Sequence, residues 1–253
     1  MGVTDLERLR ARASRLDPKD ALASLDDAAA WIRERGAVTI TPCCSLPALH
    51  VAIHEEPYRP GSRGFGLYPA TKWWWAGELA ARPGLHWLKI HRGKGLIADE
   101  RVARLADPLA RQALADAEAG ALGDDARRLV VHLAEAGPSE VGDLRDELGI
   151  DARLLRSARE RLERIGAVVS RSLVLEPHAH TSELARWDQR FAPSAGGLDD
   201  LLLALIHAAV LVPEIELPAL LSWPLPAKTV ERLVASGRLR RVGASVTVER
   251  DDS

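Results

Sequence analysis

The chain has 253 residues, of which 47% are hydrophobic, and its formal net charge is −2. A chain of this length and composition can bury two or three hydrophobic cores. The near-neutral charge excludes a global positive field that would draw the whole protein onto nucleic acid, so any such surface must be local. The longest apolar stretch, residues 201–212, is much shorter than the ~20 residues of a membrane helix, so we expect no membrane partner.

The cysteine content and the N-terminus indicate the compartment. Cys43 and Cys44 are the two cysteines, and adjacent cysteines cannot build an ordinary disulfide framework. Residues 1–20 alternate charged residues with leucine and lack the apolar core of an export signal. We therefore expect a soluble, cytoplasmic protein in a reducing compartment. Arginine greatly outnumbers lysine and alanine is abundant, which indicates a GC-rich bacterial genome.

The first half of the chain combines predicted helices with one strand and one irregular segment. The sequence pattern predicts helices over 5–15, 20–35, 46–55 and 99–119. The second of these begins at Ser24 or Leu25, and a strand over 37–41 follows it. Glycine, proline and aromatic residues crowd residues 58–95, which is typical of an irregular loop or β-rich segment. The apolar stripe of the last helix comprises Leu105, Leu109 and Ala113.

The best-defined module covers residues 124–176. Helices are predicted at 124–136, at 140–148 and from Asp151 onward, and strands at 167–169 and 173–175 flank a turn at 170–172. This order is typical of a helix-turn-helix followed by a wing. The 3.6-residue period predicts that one face of the third helix packs inward. This inner face comprises Leu155, Ala158, Leu162 and Ile165. The outer face comprises Arg153, Arg156, Ser157, Glu160 and Arg164.

A similar module is predicted after a linker at residues 191–197. It comprises helices at 198–211, 214–221 and 227–235 and a hairpin over 239–248 that turns at Gly243. A helix that runs into a glycine and then into a β-branched strand occurs three times, around Gly36, Gly166 and Gly237. Three copies indicate an array of small units.

These patterns together predict a mainly α fold with short β-hairpins, an α+β class built from tandem winged-helix modules. The expected domains are an N-terminal helical, winged-helix-like module at 1–57, a basic aromatic-rich segment with a connecting helix at 58–120, a central winged helix at 121–190 and a C-terminal winged helix at 197–253.

Basic charge is concentrated in residues 58–95, where seven lysines and arginines face the single acid Glu78. Local positive charge interleaved with aromatic rings is what phosphate binding and base stacking require. Of the three consecutive tryptophans, Trp74 is expected to face away from its neighbours. Double-stranded DNA is therefore the predicted partner, and the candidate contacts are Arg59, Arg63, Lys72, Trp74, Lys89, Arg92, Lys94, Arg153, Arg156 and Arg171. The competing interpretation is core tryptophans with incidental surface charge.

A possible zinc site would use Cys43, Cys44, His50 and His54, because zinc accepts both sulfur and imidazole ligands. The spacing lacks the paired Cys-x-x-Cys arm of a zinc finger, and the glutamates follow the second histidine instead of preceding it as in His-Glu-x-x-His. The favoured interpretation is buried thiols and ordinary helix histidines, so neither a metal nor a cofactor is predicted. The sequence contains no glycine-rich phosphate loop and no Gly-x-Ser-x-Gly elbow.

The tandem winged helices, the Gly36-Ala37-Val38 turn into a strand and the helix that begins with Ser45-Leu46-Pro47 resemble the AlkZ/YcaQ-type crosslink-repair DNA glycosylases, also called winged-helix DNA glycosylases. That family carries a catalytic Gln-x-Gln or Gln-x-Asp on the strand after its first module. The matching positions here are Thr39 and Thr41, and threonine supplies neither carboxamide nor carboxylate. The resemblance implies a DNA-repair context with an altered catalytic motif.

Three functions follow from these observations. The first is a DNA-binding protein of glycosylase ancestry, which recognises unusual or damaged DNA or assists repair enzymes. The second is an active glycosylase that hydrolyses the N-glycosidic bond with Glu55, Glu56 or Glu78 as general acid or base. The third is a transcription regulator or an assembly adaptor. A two-fold dimer and a palindromic site would favour the regulator.

Overall fold

The computed structural model describes residues 2–176 and 179–249. These residues are mainly α-helical and form three three-stranded antiparallel sheets, which confirms the predicted mainly α, α+β class. After helix α1 (Val3–Ala13), the same order of elements occurs three times: a helix, a short strand, two helices and a two-stranded hairpin. In each copy the short strand pairs with the last strand of the hairpin, so all three sheets have the same strand order.

The first unit covers most of the first hundred residues. Its elements are α2 (Leu25–Arg35), β1 (Ala37–Thr39), α3 (Leu49–Ile53), α4 (Ala70–Ala81), β2 (Leu85–His91) and β3 (Lys94–Asp99). The Ser24 hydroxyl accepts a hydrogen bond from the Asp27 backbone and caps α2, as the sequence predicts. Because β1 pairs with β3, one sheet crosses the boundary expected between residues 57 and 58.

The interpretation of residues 58–95 as irregular or β-rich is wrong for its central part, which forms the 12-residue helix α4. The tryptophan run suggested a strand, but Ala76 and Leu79 are fully buried with Trp75 packed beside them, which is a helical spacing. Trp74 is 66% exposed, so the expectation that it faces away is confirmed, although on a helix.

The second unit follows a long connecting helix, α5 (Glu100–Glu118). Its elements are α6 (Asp124–Ala136), β4 (Ser139–Glu140), α7 (Val141–Leu148), α8 (Ala152–Arg164), β5 (Val168–Glu176) and β6 (Ala179–Arg186). The predicted faces of α8 are confirmed, with Leu155, Ala158 and Leu162 buried. The turn predicted at 170–172 is wrong: these residues continue β5 and pair with β6, so the hairpin is longer than expected.

The third unit follows a short helix, α9 (Trp187–Arg190). Its elements are α10 (Leu198–Ala209), β7 (Val212–Pro213), α11 (Leu217–Leu220), α12 (Thr229–Ala235), β8 (Leu239–Val242) and β9 (Ser245–Val248). The predicted hairpin with its turn at Gly243 is confirmed. Among the described residues, no helix combines the length and the apolar character needed to cross a lipid bilayer.

The glycine repeat of the sequence marks two kinds of junction. Gly166 and Gly237 follow the third helix of their units and have positive φ angles of 74° and 71°. Gly36 instead follows the first helix of the first unit, so its match to the repeat is at a different position. The structural equivalent is Gly84, with φ of 72° immediately before β2. The structure repeats a glycine between the third helix and the hairpin in all three units. In the first unit this glycine is Gly84, and the sequence copy at Gly36 is not equivalent to the other two.

The hydrophobic cores do not follow the units one by one. One large cluster joins β2 and β3 of the first unit, the alanine-rich face of α5 and the helices of the third unit. The second unit has a core of its own, which the end of α5 completes. A third cluster lies under α2 and α4 of the first unit. The first and third units are therefore packed as one body, and the second unit is attached to it through α5 and through the packing of α8 and β5 on β2.

Candidate nucleic-acid interface

Helix α8 is the third helix of the second unit and has a strongly basic outer face. It carries five arginines against two glutamates. Asp151 caps its first turn by accepting hydrogen bonds from the Arg153 and Leu154 backbone amides at 2.7 and 2.9 Å. Arg153 and Arg156 are exposed and form no ion pair with another described residue. Their charge is therefore available to an external anion.

The inner side of α8 is joined to the first unit by a buried carboxylate. Glu163 is 2% exposed, and it accepts hydrogen bonds from Lys89 of β2 at 2.5 Å and from Arg159 of α8 at 3.0 Å. Lys89, expected to contact DNA, is therefore bound within the molecule. A buried acid between two cations holds the first two units in a fixed arrangement.

A groove of about 600 Å³ lies beside this junction, between α4, β2, α8 and the hairpin of the second unit. Arg171 and Arg190 line it together with Lys89. Arg190 forms an ion pair with Glu183 of β6. Arg171, another predicted DNA contact, is exposed and forms no ion pair with the described residues. The free positive charge of the groove is thus at Arg171.

The hairpin of the first unit carries Arg92 and Lys94 at its tip, and both are exposed. Arg92 and Gly93 have positive φ angles of 50° and 81°, as the two central residues of a type I′ turn require. The Arg92 backbone amide donates a hydrogen bond to Ser222 Oγ of the third unit at 2.9 Å. The tip is therefore fixed while its two cations stay in solvent.

The remaining predicted contacts of the first unit lie on α4 and in the loop before it. Arg59 and Arg63 are exposed, and the Arg59 guanidinium lies 5.4 Å from the centre of the Tyr58 ring. Trp74 presents its ring to solvent on α4. The side chain of Lys72 lies outside the described part of the structure.

The two threonines at the family's catalytic positions have different surroundings. Thr39 is 1% exposed, and its hydroxyl donates a hydrogen bond to the Pro47 carbonyl at 3.1 Å. Its backbone amide also bonds to Pro47, which ties β1 to the start of α3. Thr41 lies beyond the end of the strand and is half-buried. The Thr39 hydroxyl is therefore used in a hydrogen bond within the described structure.

The three candidate acids lie on the surface. Glu55 and Glu56 follow α3, and Glu78 lies on α4. All three are exposed, and none lines the groove beside Glu163. A carboxylic acid that protonates a leaving base usually lies in a partly desolvated pocket, whereas these three side chains are exposed to solvent.

The histidines expected beside the cysteines are used elsewhere. His54 donates from Nε2 to the Arg15 carbonyl at 2.6 Å, and the His50 ring contacts Tyr68 edge-on at 4.7 Å. The structure instead brings His91 to Cys43 and Cys44, with the Cys43 sulfur 3.5 Å from His91 Nε2. No local sequence pattern points to this partner, because the fold brings together two positions that are 48 residues apart in the chain.

The three groups change one another's protonation. A hydrogen bond from the Cys44 thiol, helped by His91, outweighs burial and lowers the pKa of Cys43 to about 5. The same contact with Cys43, together with burial, raises the pKa of Cys44. Burial opposes a charged His91, but its hydrogen bonds with Cys43 and with the Leu220 carbonyl outweigh burial and raise its pKa. The contact between Cys43 and His91 thus favours the thiolate form of Cys43 and the charged form of His91.

Comparison of the chain with protein-family models, with curated proteins and with solved structures finds no match.

Proposed function

We propose that this protein binds double-stranded DNA and that α8 is the helix that enters the major groove. The observation that carries the proposal is the combination of position and charge in α8. It is the third helix of a unit ordered helix, strand, helix, helix, hairpin, and its exposed Arg153 and Arg156 lack an acidic partner among the described residues. In winged-helix proteins the corresponding helix reads the groove and the hairpin contacts the backbone.

Two further features support DNA as the partner. The formal charge of the whole chain is −2, so exposed arginines without an ion-pair partner among the described residues are a local property of this face. The exposed cations Arg171 and Arg92 lie on hairpins, the elements that flank the third helix in this fold. Surfaces of this kind gain affinity by releasing counterions from phosphates.

The proposal is for binding without base excision, in a protein of DNA-repair ancestry. The Thr39 hydroxyl is held by the Pro47 carbonyl, and a hydroxyl is a poor base near neutral pH. The acids Glu55, Glu56 and Glu78 are exposed and do not line the groove beside Glu163. These observations favour recognition of damaged or unusual duplexes over cleavage.

Charge reversal on α8 tests the binding proposal. Fluorescence anisotropy with short labelled duplexes should show affinity at least about tenfold lower for the Arg153→Glu/Arg156→Glu variant than for the unaltered protein. The matched control is Arg8→Glu/Arg12→Glu on α1, which makes the same charge change outside the three units. Equal affinity of the α8 variant and the unaltered protein would assign this face to a protein partner instead.

A single-turnover assay on intact, abasic and alkylated duplexes tests the absence of excision. We expect binding with no base release above the protein-free rate. Base release that Glu55→Gln, Glu56→Gln or Glu78→Gln abolishes would make this chain a glycosylase and the affected carboxylate its catalytic group.

A further inference from the structure

Two cysteines and one histidine converge where the first unit meets the third. Cys43 and Cys44 lie in the loop between β1 and α3, and His91 is the last residue of β2. Their two sulfur atoms and one imidazole nitrogen all lie within 4.8 Å of one another. We propose that Cys43 Sγ, Cys44 Sγ and His91 Nε2 bind one zinc ion, with the fourth coordination position open to solvent. None of the three ligands is a proposed DNA contact, although His91 directly precedes the proposed contact Arg92.

The separation of Cys43 Sγ from His91 Nε2 matches a tetrahedral zinc site. With Zn–S bonds of about 2.3 Å and Zn–N bonds of about 2.0 Å, a sulfur ligand and a nitrogen ligand lie about 3.5 Å apart and two sulfurs about 3.8 Å apart. Cys43 Sγ and His91 Nε2 are 3.5 Å apart. Cys44 Sγ lies within 4.8 Å of both atoms, which places it within reach of the same ion.

The imidazole of His91 is already oriented for ligation. Its Nδ1 lies 2.6 Å from the Leu220 carbonyl oxygen, and a carbonyl only accepts, so Nδ1 carries a proton. Nε2 is therefore the atom left to face the cysteines. A histidine that donates its other ring N–H to a backbone carbonyl is the usual arrangement around protein-bound zinc. His91 is 4% exposed, so the ring cannot easily leave this orientation.

The cysteine loop is also held in place from the third unit. Glu216 Oε2 accepts hydrogen bonds from the Ser45 backbone amide at 3.0 Å and from the Ser45 hydroxyl at 2.7 Å. The Leu46 amide donates to the Cys44 sulfur at 3.4 Å, a contact that stabilises a thiolate. The ligands are thus positioned before any ion binds, which reduces the entropy lost on binding.

The donor chemistry selects the ion. Two thiolates carry two negative charges, which one divalent cation neutralises, and a set of two sulfurs and one imidazole suits zinc rather than magnesium or calcium. Cys43 is exposed, so water can reach the ion from its side. Since His91 is held by Leu220 and the cysteine loop by Glu216, metal binding should also stabilise the contact between the first and third units.

Cobalt titration of the untagged full chain tests the site. After reduction and chelator treatment, Co²⁺ should bind at one equivalent with the thiolate charge-transfer and tetrahedral visible bands of a sulfur-ligated ion, and Zn²⁺ should displace it. Cys43→Ser and Cys44→Ser should each weaken binding by at least about 100-fold. Zn²⁺ should raise the melting temperature of the unaltered protein and leave that of Cys43→Ser unchanged.

The control variant is His132→Gln, which removes a histidine of the second unit that pairs with Glu147, and its titration should match that of the unaltered protein. Cys43 is exposed, so Cys43→Ser should fold normally and melt, without metal, at the temperature of the unaltered protein. The proposal is overturned by a cobalt spectrum without tetrahedral bands, by equal binding to Cys43→Ser, or by two freely alkylated thiols in the presence of zinc.

Discussion

Asp107 connects three parts of the chain through one buried carboxylate. It lies in the middle of α5 and is 1% exposed. Its oxygens accept hydrogen bonds from Trp187 Nε1 at 2.8 Å, from the Ser194 amide at 2.9 Å and from Arg111 Nε at 2.8 Å. A charge this deeply buried is tolerated only when its oxygens are satisfied in this way. Asp107 therefore fixes α9 and the following linker against α5.

Removal of this carboxylate should destabilise the protein strongly. Asp107→Ala leaves Trp187 Nε1 and the Ser194 amide without their acceptor, and we expect a loss of about 3 kcal/mol in the free energy of unfolding, measured by urea denaturation. Asp116→Ala on the same helix removes an exposed acid and should change stability by less than about 0.5 kcal/mol. Similar values for the two variants would show that Asp107 does not organise the junction.

Single residues were the hardest feature to predict from the sequence. The apolar stripe predicted for α5 named Leu105, Leu109 and Ala113, but the two leucines are only partly buried. The buried face consists mainly of alanines and includes Asp107. Hydrophobicity alone does not reveal a close-packed alanine face. Two of the three partners of Asp107, Trp187 and Ser194, lie 80 and 87 residues away along the chain.

Elements were predicted well where the two faces of a helix differ sharply. In α8, leucine and alanine alternate with arginine at the helical period, and both predicted faces are confirmed. In α4, apolar residues surround the helix and hide its period, so the sequence pattern predicts a strand or loop there. The candidate zinc site was missed for another reason: its third member comes from a distant strand.

The hairpin of the first unit gives a prediction at the same scale. If Arg92 and Lys94 each contact one phosphate, the Arg92→Gln/Lys94→Gln variant should lower the slope of log affinity against log salt concentration by about 2. The measurement is duplex binding over a series of salt concentrations, with Arg8→Gln/Arg12→Gln as the control. An unchanged slope would exclude phosphate contacts at this tip.

The whole molecule divides by its cores and not by its repeated units. Leu162 belongs to the core of the second unit, whereas Leu205 belongs to the cluster shared by the first and third units. Opening one core should expose only the segments that contribute to it. The glycine repeat predicts an array of small units. It does not predict that the first and third units share a core, because that core joins residues far apart in the sequence.

Hydrogen exchange can separate the two cores. Leu162→Ala and Leu205→Ala should each cost about 2–5 kcal/mol, because each removes a fully buried side chain. We expect Leu162→Ala to speed amide exchange in the second unit alone, and Leu205→Ala to speed it in the first and third units together. Uniform acceleration in both variants would mean that the chain opens as a single cooperative body.

The junction at Glu163 limits how much sequence α8 can read. In helix-turn-helix proteins the N-terminal residues of the recognition helix contact the base edges. In α8 that half carries Arg153 and Arg156, whereas the other half is packed against β2 through Glu163. Half of its 13 residues span about 10 Å, which is about three base pairs of duplex. Contacts to about three base pairs carry too little sequence information to specify a single site in a genome. We therefore expect the protein to select DNA by its shape or by joint contacts of several units.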